Sequence, residues 1–532
     1  MRDFGGRWWR SGFGTKLGAA IALTALAHGL MFGHGLGAGL AGFAFAWLAL
    51  TIATRPAILH DRRARHAAVA AGLCVLMLAD RATLIAWCLF WTALMLAVLS
   101  PRARRRLDAW AWTRRILVHA VRSLAAPIAD LLRLRPLAPR YGPFVRRWAR
   151  TLILPLFGGA LFLWLFSLAN PLIGGALSGL RLPGLDVMAT VRVLFWLLVF
   201  FTVWQAFRPV RRPKALRRPS AGDARAWIGQ ALDRRLGSVV PALIVFNALF
   251  ALENGLDLAF LWSGARLPPG LTLAEYAHRG AYPLIFTALL AAAFSLFVLR
   301  EGSPGAKQPS VRRLVGLWVA QNVFLSASSL LRTLDYVQAY SLTRLRLAAL
   351  LWMGLVMLGL ALIGWRMLCG KSARLLINAN ALALVIVLVI ADLADLGSVA
   401  AWWNVRHARE VGGQGASLDV CYLDRLGPAA LLPMIEIEQR RISPALRGEV
   451  QFTRDWMLKR LALNQADWRS WSARGALRLA IARSELGHLR HDLPIQPASS
   501  SCDPDDPAPS AASPASTPAP PPTPALTPGA KP

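Results

Sequence analysis

The chain has 532 residues, 55% of them hydrophobic, a formal net charge of +32 and five cysteines. A soluble globular reading is excluded, because Thr151–Ala169, Ala281–Leu299 and Leu347–Trp365 each run nineteen residues without an Asp, Glu, Lys or Arg, about 28 Å of helix against a ~30 Å hydrocarbon core. A nucleic-acid partner is excluded too: only six of the sixty basic residues are Lys, and the basic residues fall between hydrophobic blocks, where the positive-inside rule puts them.

These features predict an all-α polytopic membrane protein of eleven spans, at 17–32, 36–54, 67–80, 83–99, 151–170, 188–207, 238–262, 281–299, 314–331, 346–366 and 375–396. The third is short. The basic start followed by Leu17–Phe32 mimics a signal peptide, but Gly33–Gly39 leads straight into another apolar block, so an uncleaved first helix is expected. Residues 1–100 thus form a four-span region. Segment 101–150 carries thirteen Arg against two acidic residues. Within Leu107–Leu134, Trp110, Trp112, Ile116, Leu117, Val121 and Leu124 alternate with Arg114, Arg115 and Arg122. That pattern suits an interfacial helix on anionic inner-leaflet lipids; the alternative is a plain cytoplasmic connector. Residues 151–397 form a seven-span membrane domain.

Orientation follows from charge. Segments 101–150 and 208–235, the latter with nine basic residues against two acidic, are two spans apart and so share a side. Arg55, Arg62, Arg63 and Arg65 join them, as do Arg300, Lys307, Arg312, Arg313, Arg366, Lys371 and Arg374. That side is the cytoplasm and the N-terminus lies inside. An odd span count then puts everything after about Gly397 outside, in the periplasm of a bacterial inner-membrane protein. Residues 398–487 read as an extramembrane helical domain, with helices near 428–442, 446–464 and 467–486, on which Asp424, Glu436 and Glu438 read as solvated faces. Residues 488–532 are a Pro/Ala/Ser-rich tail expected to be disordered. Cys421 and Cys502 share the oxidising side and form a candidate disulfide.

Polar residues at span depth are the informative ones, since an ionisable group near a helix centre costs about 2.5–3.5 kcal/mol. The seventh span carries Asn247, Asn254 and Asp257 on one face, together with Glu253. The ninth carries Gln321 and Asn322, then Ser326 and Ser329, and ends at Arg332. The eleventh ends with Asp392 and Asp395. One reading is an outward-open polar path with titrating carboxylates and Arg332 as their counter-charge. The other is interhelical hydrogen bonding. The outer loop adds Glu275, His278 and Arg279. No HExxH, P-loop or GxSxG motif is present. His28 and His34 have no carboxylate near them in sequence, and His488 and His491 make a poor metal pair, so neither a metal nor a cofactor is expected. An enzyme acting on a lipid-linked substrate would use Glu275 as base beside His278 and Arg279; the reading leans against an enzyme.

Several segments resemble a known family. They are Leu271–Tyr282, Trp318–Asn322, Tyr336–Arg346, Ile377–Ala381 and Leu418–Gly427, in a likeness running from about residue 150 to 485. The family is one of bacterial multi-pass inner-membrane proteins described only as a domain of unknown function (the DUF 4173 / DUF 4153 type). Its pattern leads one to expect Gly where Ser341 stands. The resemblance implies an inner-membrane location and no known activity. Two functions follow as expectations: a transport-like protein with a path between spans seven, nine and eleven, or a non-transporting envelope scaffold or signalling component that binds a partner protein through its C-terminal helical domain. Oligomeric state is left open.

Overall fold

The computed structural model describes residues 4–103, 107–124, 127, 187–207, 236–259, 308–370 and 372–488. Among them there are helices and no strand. The expected spans 151–170 and 281–299, the outer loop 275–279 and the tail from 489 lie outside the described residues. In chain order the helices are α1 (Phe4–Met31), α2 (Ala38–Thr54), α3 (Ala57–His60), α4 (Arg62–Asp80), α5 (Leu84–Leu99), α6 (Ala109–Leu124), α7 (Val187–Phe207), α8 (Leu236–Asp257), α9 (Pro309–Tyr340), α10 (Arg344–Cys369), α11 (Ala373–Ala394), α12 (Leu396–His407), α13 (Val420–Leu426), α14 (Leu431–Glu438), α15 (Pro444–Ala466) and α16 (Ala473–His488). By length and composition five of them, α7 to α11, suit a membrane crossing.

Helix ends follow local chemistry. Asp61 caps α4, its carboxylate accepting from the Ala64 N–H at 2.8 Å. Thr83, Thr343 and Ser372 cap α5, α10 and α11 in the same way. The cap starts α4 at Arg62 and gives it nineteen residues, but the turn it adds to the expected third span is the basic Arg62–His66, and α4 is not one of the five helices long and apolar enough to cross a membrane. α10 stops at Gly370, which is left-handed at φ 63°.

Two hydrophobic cores form among the described helices of the bundle. One gathers α1, α2, α4, α5 and α7 around Trp47, Phe90, Leu23 and Phe207. The other packs α8, α9 and α10 around Leu243, Trp318 and Leu360. α10 lies against both α9 and α11, and α11 reaches across to α5 and α6. α8 and α9 run in the same direction, since Asn247 bonds the Leu314 carbonyl and Asn254 the Gln321 carbonyl, each 67 positions on.

α9 spans 32 residues, about 48 Å, and so outruns a hydrocarbon core. Its far end enters a third core: Val337 and Leu342 pack with Leu423, Met434, Val450 and Met457 of the C-terminal region. That region is helical, as expected, but with different boundaries. The expected 428–442 helix is the shorter α14, and α16 starts at Ala473 because residues 467–471 form a turn.

The C-terminal helices sit on one end of the bundle and touch every described connection assigned to the outer side. The Gly-rich turn before α2 receives them most closely. The Ala38 and Gly39 N–H groups donate to the Trp471 and Arg469 carbonyls at 2.7 and 2.8 Å. A Cβ on Gly37 would come within 2.4 Å of the Ser470 and Trp471 backbone, so only glycine fits there. Asp80 pairs with Arg474 at 2.5 Å. Arg344 donates to the Leu426 carbonyl at 3.0 Å, and Asn404 bonds both backbone groups of Leu342. α6 lies at the opposite end. Its Ala109 N–H donates to Asn378 Oδ1 at 2.9 Å, and His119 meets the Gln205 carbonyl.

Candidate functional site

The polar residues expected on spans seven and nine meet in one seam between α8 and α9. Asn247 Nδ2 donates to the Leu243 carbonyl at 2.7 Å and to the Leu314 carbonyl at 3.1 Å. Asn254 Nδ2 reaches the Gln321 carbonyl at 3.2 Å, and Asn322 Nδ2 the Trp318 carbonyl at 2.7 Å. Ser326 and Ser329 donate to carbonyls of their own helix. These amide and hydroxyl donors are thus satisfied within the helix pair. The acceptors are not. Asn247 Oδ1, Asn254 Oδ1, Gln321 Oε1 and Asn322 Oδ1 are buried and receive no hydrogen bond among the described residues, although Asn322 is wholly buried and Asn247 nearly so. Phe246 and Phe250 pack on the Trp318 ring at 5.3 and 5.7 Å, giving the seam an apolar flank.

Arg332 closes the seam at the end nearer the C-terminal domain. It forms a close ion pair with the fully buried Asp257 and lies 3.7 Å from Glu253, a carboxylate left out of the expected charge pairing. Two opposite charges in a protein interior stabilise each other where either alone would be costly.

Asp392 and Asp395 belong elsewhere, which corrects the expectation of one path served by Arg332. Their counter-charges are Arg81, from the turn before α5, and Arg478, from α16. Arg81 donates to the Asp392 carbonyl at 2.7 Å and pairs closely with Asp395, while Thr83 donates to the Asp392 carboxylate. Arg478 Nη2 reaches Asp395 Oδ2 and Ser398 Oγ, each at 2.5 Å. Asp395 stands at φ 50°, left-handed, where α11 breaks into α12, and its carboxylate also caps α12 through the Gly397 N–H. This second cluster joins the first bundle, the last spanning helix and the C-terminal domain.

Sequence spacing missed these partners because they are distant along the chain. It missed others too. His34 has a carboxylate after all: Asp467 Oδ2 lies 3.0 Å from its Nδ1. Glu438 is not on a solvated face but pairs closely with Arg454, both side chains nearly fully buried. Burial pushes the Glu438 carboxyl above its usual range, against the pull of Arg454. Glu436 is half-buried between Arg406 and Arg440, and Asp424 is half-buried as well. No group of His, Cys, Asp and Glu fit to hold a metal occurs among the described residues.

A cleft of about 250 Å³ opens where α9 meets the C-terminal domain, lined by Gln338, Ser341, Trp403, Asn404, His407 and Gln414. Ser341 sits there at φ 70°, ψ 162°, a region held almost solely by glycine. This explains why glycine is the residue to expect. Arg346 and Asn404 hold the turn, donating to the Ser341 and Leu342 carbonyls. Glu275, His278 and Arg279 lie outside the described residues. Cys74, Cys88 and Cys369 are free thiols. Cys421 is disulfide-bonded, and Cys502 lies outside the described residues.

No curated protein and no solved structure matches the chain. One family model does, over residues 67–437, which starts and ends earlier than the resemblance seen in the sequence. That match takes in the seam, the strained turn and every member of the second cluster but Arg478, and it spans more than half of the 532 residues; the chain belongs to the family described as Domain of unknown function (DUF4153).

Proposed function

We propose that this integral membrane protein is transport-like, and that its working element is the α8–α9 seam under the Arg332–Asp257 pair. The observation that carries this reading is the set of four buried amide oxygens without donors among the described residues. A buried acceptor left unmade costs about 1–3 kcal/mol. Four in one helix pair suit a seam that admits water, protons or a small monovalent cation. Asp257 is the group that would release and take a proton or cation, with Arg332 as the alternating counter-charge. Asp392 and Asp395 leave the path and act as the clamp for the C-terminal domain.

In this reading the chain lies in a bacterial inner membrane with its N-terminus in the cytoplasm and the C-terminal helices in the periplasm. Three things support that orientation: the basic inner segments, the gathering of the outer connections under the C-terminal helices, and the bonded state of Cys421. Pairing of Cys421 with Cys502 would tie the tail to this domain.

The test is ion flux in proteoliposomes, read with a pH-sensitive dye and with sodium and potassium indicators. Wild type should pass at least one of these cations above empty vesicles, and Asp257→Asn should abolish the flux while inserting normally. No flux of any cation from wild type would sink the ion form of the reading.

A second reading rests on the exposed Phe452, Trp456 and Leu463 of α15. They offer an apolar stripe on the C-terminal domain for an envelope partner, with the membrane helices as scaffold. It requires that Phe452→Ser/Trp456→Ser lose specific crosslinks in cells without loss of insertion.

A further inference from the structure

At the end of the bundle opposite the C-terminal domain, a groove of about 860 Å³ runs between α9 and α10. Its walls include Val319, Ala320, Val323, Ala361 and Leu368. Beside Gly316 and Gly364 the space is open: a Cβ on either would meet nothing nearer than ordinary van der Waals contact. Arg312 and Arg313 stand at the mouth, both exposed. Arg312 Nη2 donates to the Met367 carbonyl at 2.9 Å, in the last turn of α10. No carboxylate pairs with either guanidinium among the described residues. Here α9 begins at Pro309 after Gln308, which makes no side-chain cap, so the N–H groups of its first turn face outward without an acceptor from that side chain. Trp365 lies at the same level, as an aromatic residue does at a membrane interface.

We propose that this groove is a binding site for one anionic phospholipid, independent of the α8–α9 seam. The argument is chemical complementarity at two depths. The inner stretch is apolar and bounded by membrane helices, so it takes an acyl chain. The mouth presents two guanidiniums with no carboxylate partner among the described residues, and a helix N-terminus, a combination that selects a phosphate carrying net negative charge. A zwitterionic lipid brings its own cation to the same place and gains less. The positive-inside rule puts this end at the cytoplasmic leaflet, where anionic lipids are available.

The experiment is native mass spectrometry of the full-length protein in detergent, with added phosphatidylglycerol or phosphatidylcholine at equal concentration. Wild type should keep phosphatidylglycerol with a preference on the order of tenfold. Arg312→Gln/Arg313→Gln should bind the two lipids alike. Gly364→Leu, which fills the groove, should lose both. Arg441→Gln/Arg460→Gln removes the same charge from the far domain and should keep the preference. Equal retention of the two lipids by wild type would overturn the proposal. So would an unchanged preference in the Arg312/Arg313 variant, or an equal loss in the Arg441/Arg460 variant. If the double variant fails to fold, Arg313→Gln alone gives the same reading, because Arg313 makes no described ion pair.

Discussion

Asp395 accepts a hydrogen bond from Arg478 at 2.5 Å, across 83 positions of sequence. The bond ties the end of the last membrane-crossing helix to the last helix of the C-terminal domain. Asp395 is 2% exposed and is the shared carboxylate of Arg478 and Arg81. Asp395→Asn leaves both guanidiniums without it and should cost about 3–5 kcal/mol and release the C-terminal domain, while Arg478→Gln, which keeps Arg81, should cost less and release it too. Limited proteolysis of residues 398–487 reads the release. Asp395→Asn/Arg478→Gln should recover part of the loss, and strict additivity in that cycle would show that the pair does not couple the two parts.

Arg332 and Asp257 should behave alike deeper in the protein. Arg332→Gln leaves a fully buried carboxylate without its partner and should lower thermal stability in detergent by about 3–5 kcal/mol. Asp257→Asn/Arg332→Gln should be less damaged than Arg332→Gln alone. A double variant worse than either single one would mean that the seam is held by something other than this charge pair.

Ser341→Gly should stabilise the protein. The native backbone at φ 70°, ψ 162° strains a Ser and not a Gly, and the relief is worth roughly 1–2 kcal/mol less the entropy cost of glycine in the unfolded chain. A thermal melt that does not rise would place the strain elsewhere.

The contact between the Gly-rich turn and the 467–471 turn should weaken in acid. The Arg469 backbone N–H, then the His34 ring, hold the Asp467 carboxyl below its ordinary range. A carboxyl depressed in the folded state stabilises at pH values above its unfolded value, about 3.9, and that contribution is lost as pH falls through the folded value. Protection of the Ala38 and Gly39 amides from hydrogen exchange, relative to their intrinsic rates, should therefore fall below about pH 4. Asp467→Asn should remove the dependence; an unaltered profile in that variant would assign the titration to another group.

The side of the membrane and the state of the cysteines can be read together. Alkaline phosphatase fused after Gly487 should be active, and a cytoplasm-only fluorescent reporter at the same place should be dark. Cys421 and Cys502 should take up an alkylating label only after reduction. Bright fluorescence with a silent phosphatase would put the helical domain in the cytoplasm and reverse every assignment of inner and outer ends.

Much was legible in the residues themselves. Hydropathy marked α7 to α11, and the i to i+7 spacing of Asn247 and Asn254 identified the face that α8 turns to α9. The glycine expected at Ser341 pointed to a real backbone requirement. Which charge compensates which was not legible. Glu438 looked solvated because α14 and α15 only meet in the folded domain, and Asp392 and Asp395 seemed to need Arg332 because Arg81 and Arg478 lie far along the chain.

What the sequence by itself determined is whatever depends on neighbours along the chain: the membrane class, the helix caps, the polar faces and the charge asymmetry between the two ends. Each follows from transfer free energy or local hydrogen bonding, and neither needs a partner from elsewhere. Only the tertiary structure decided that the polar residues form two clusters, that α9 runs on into the C-terminal core, and that Gly37 must admit Ser470 and Trp471. Those outcomes rest on short-range contacts between distant segments. A charge at span depth demands a partner, but spacing along the chain does not say which one packing brings within reach.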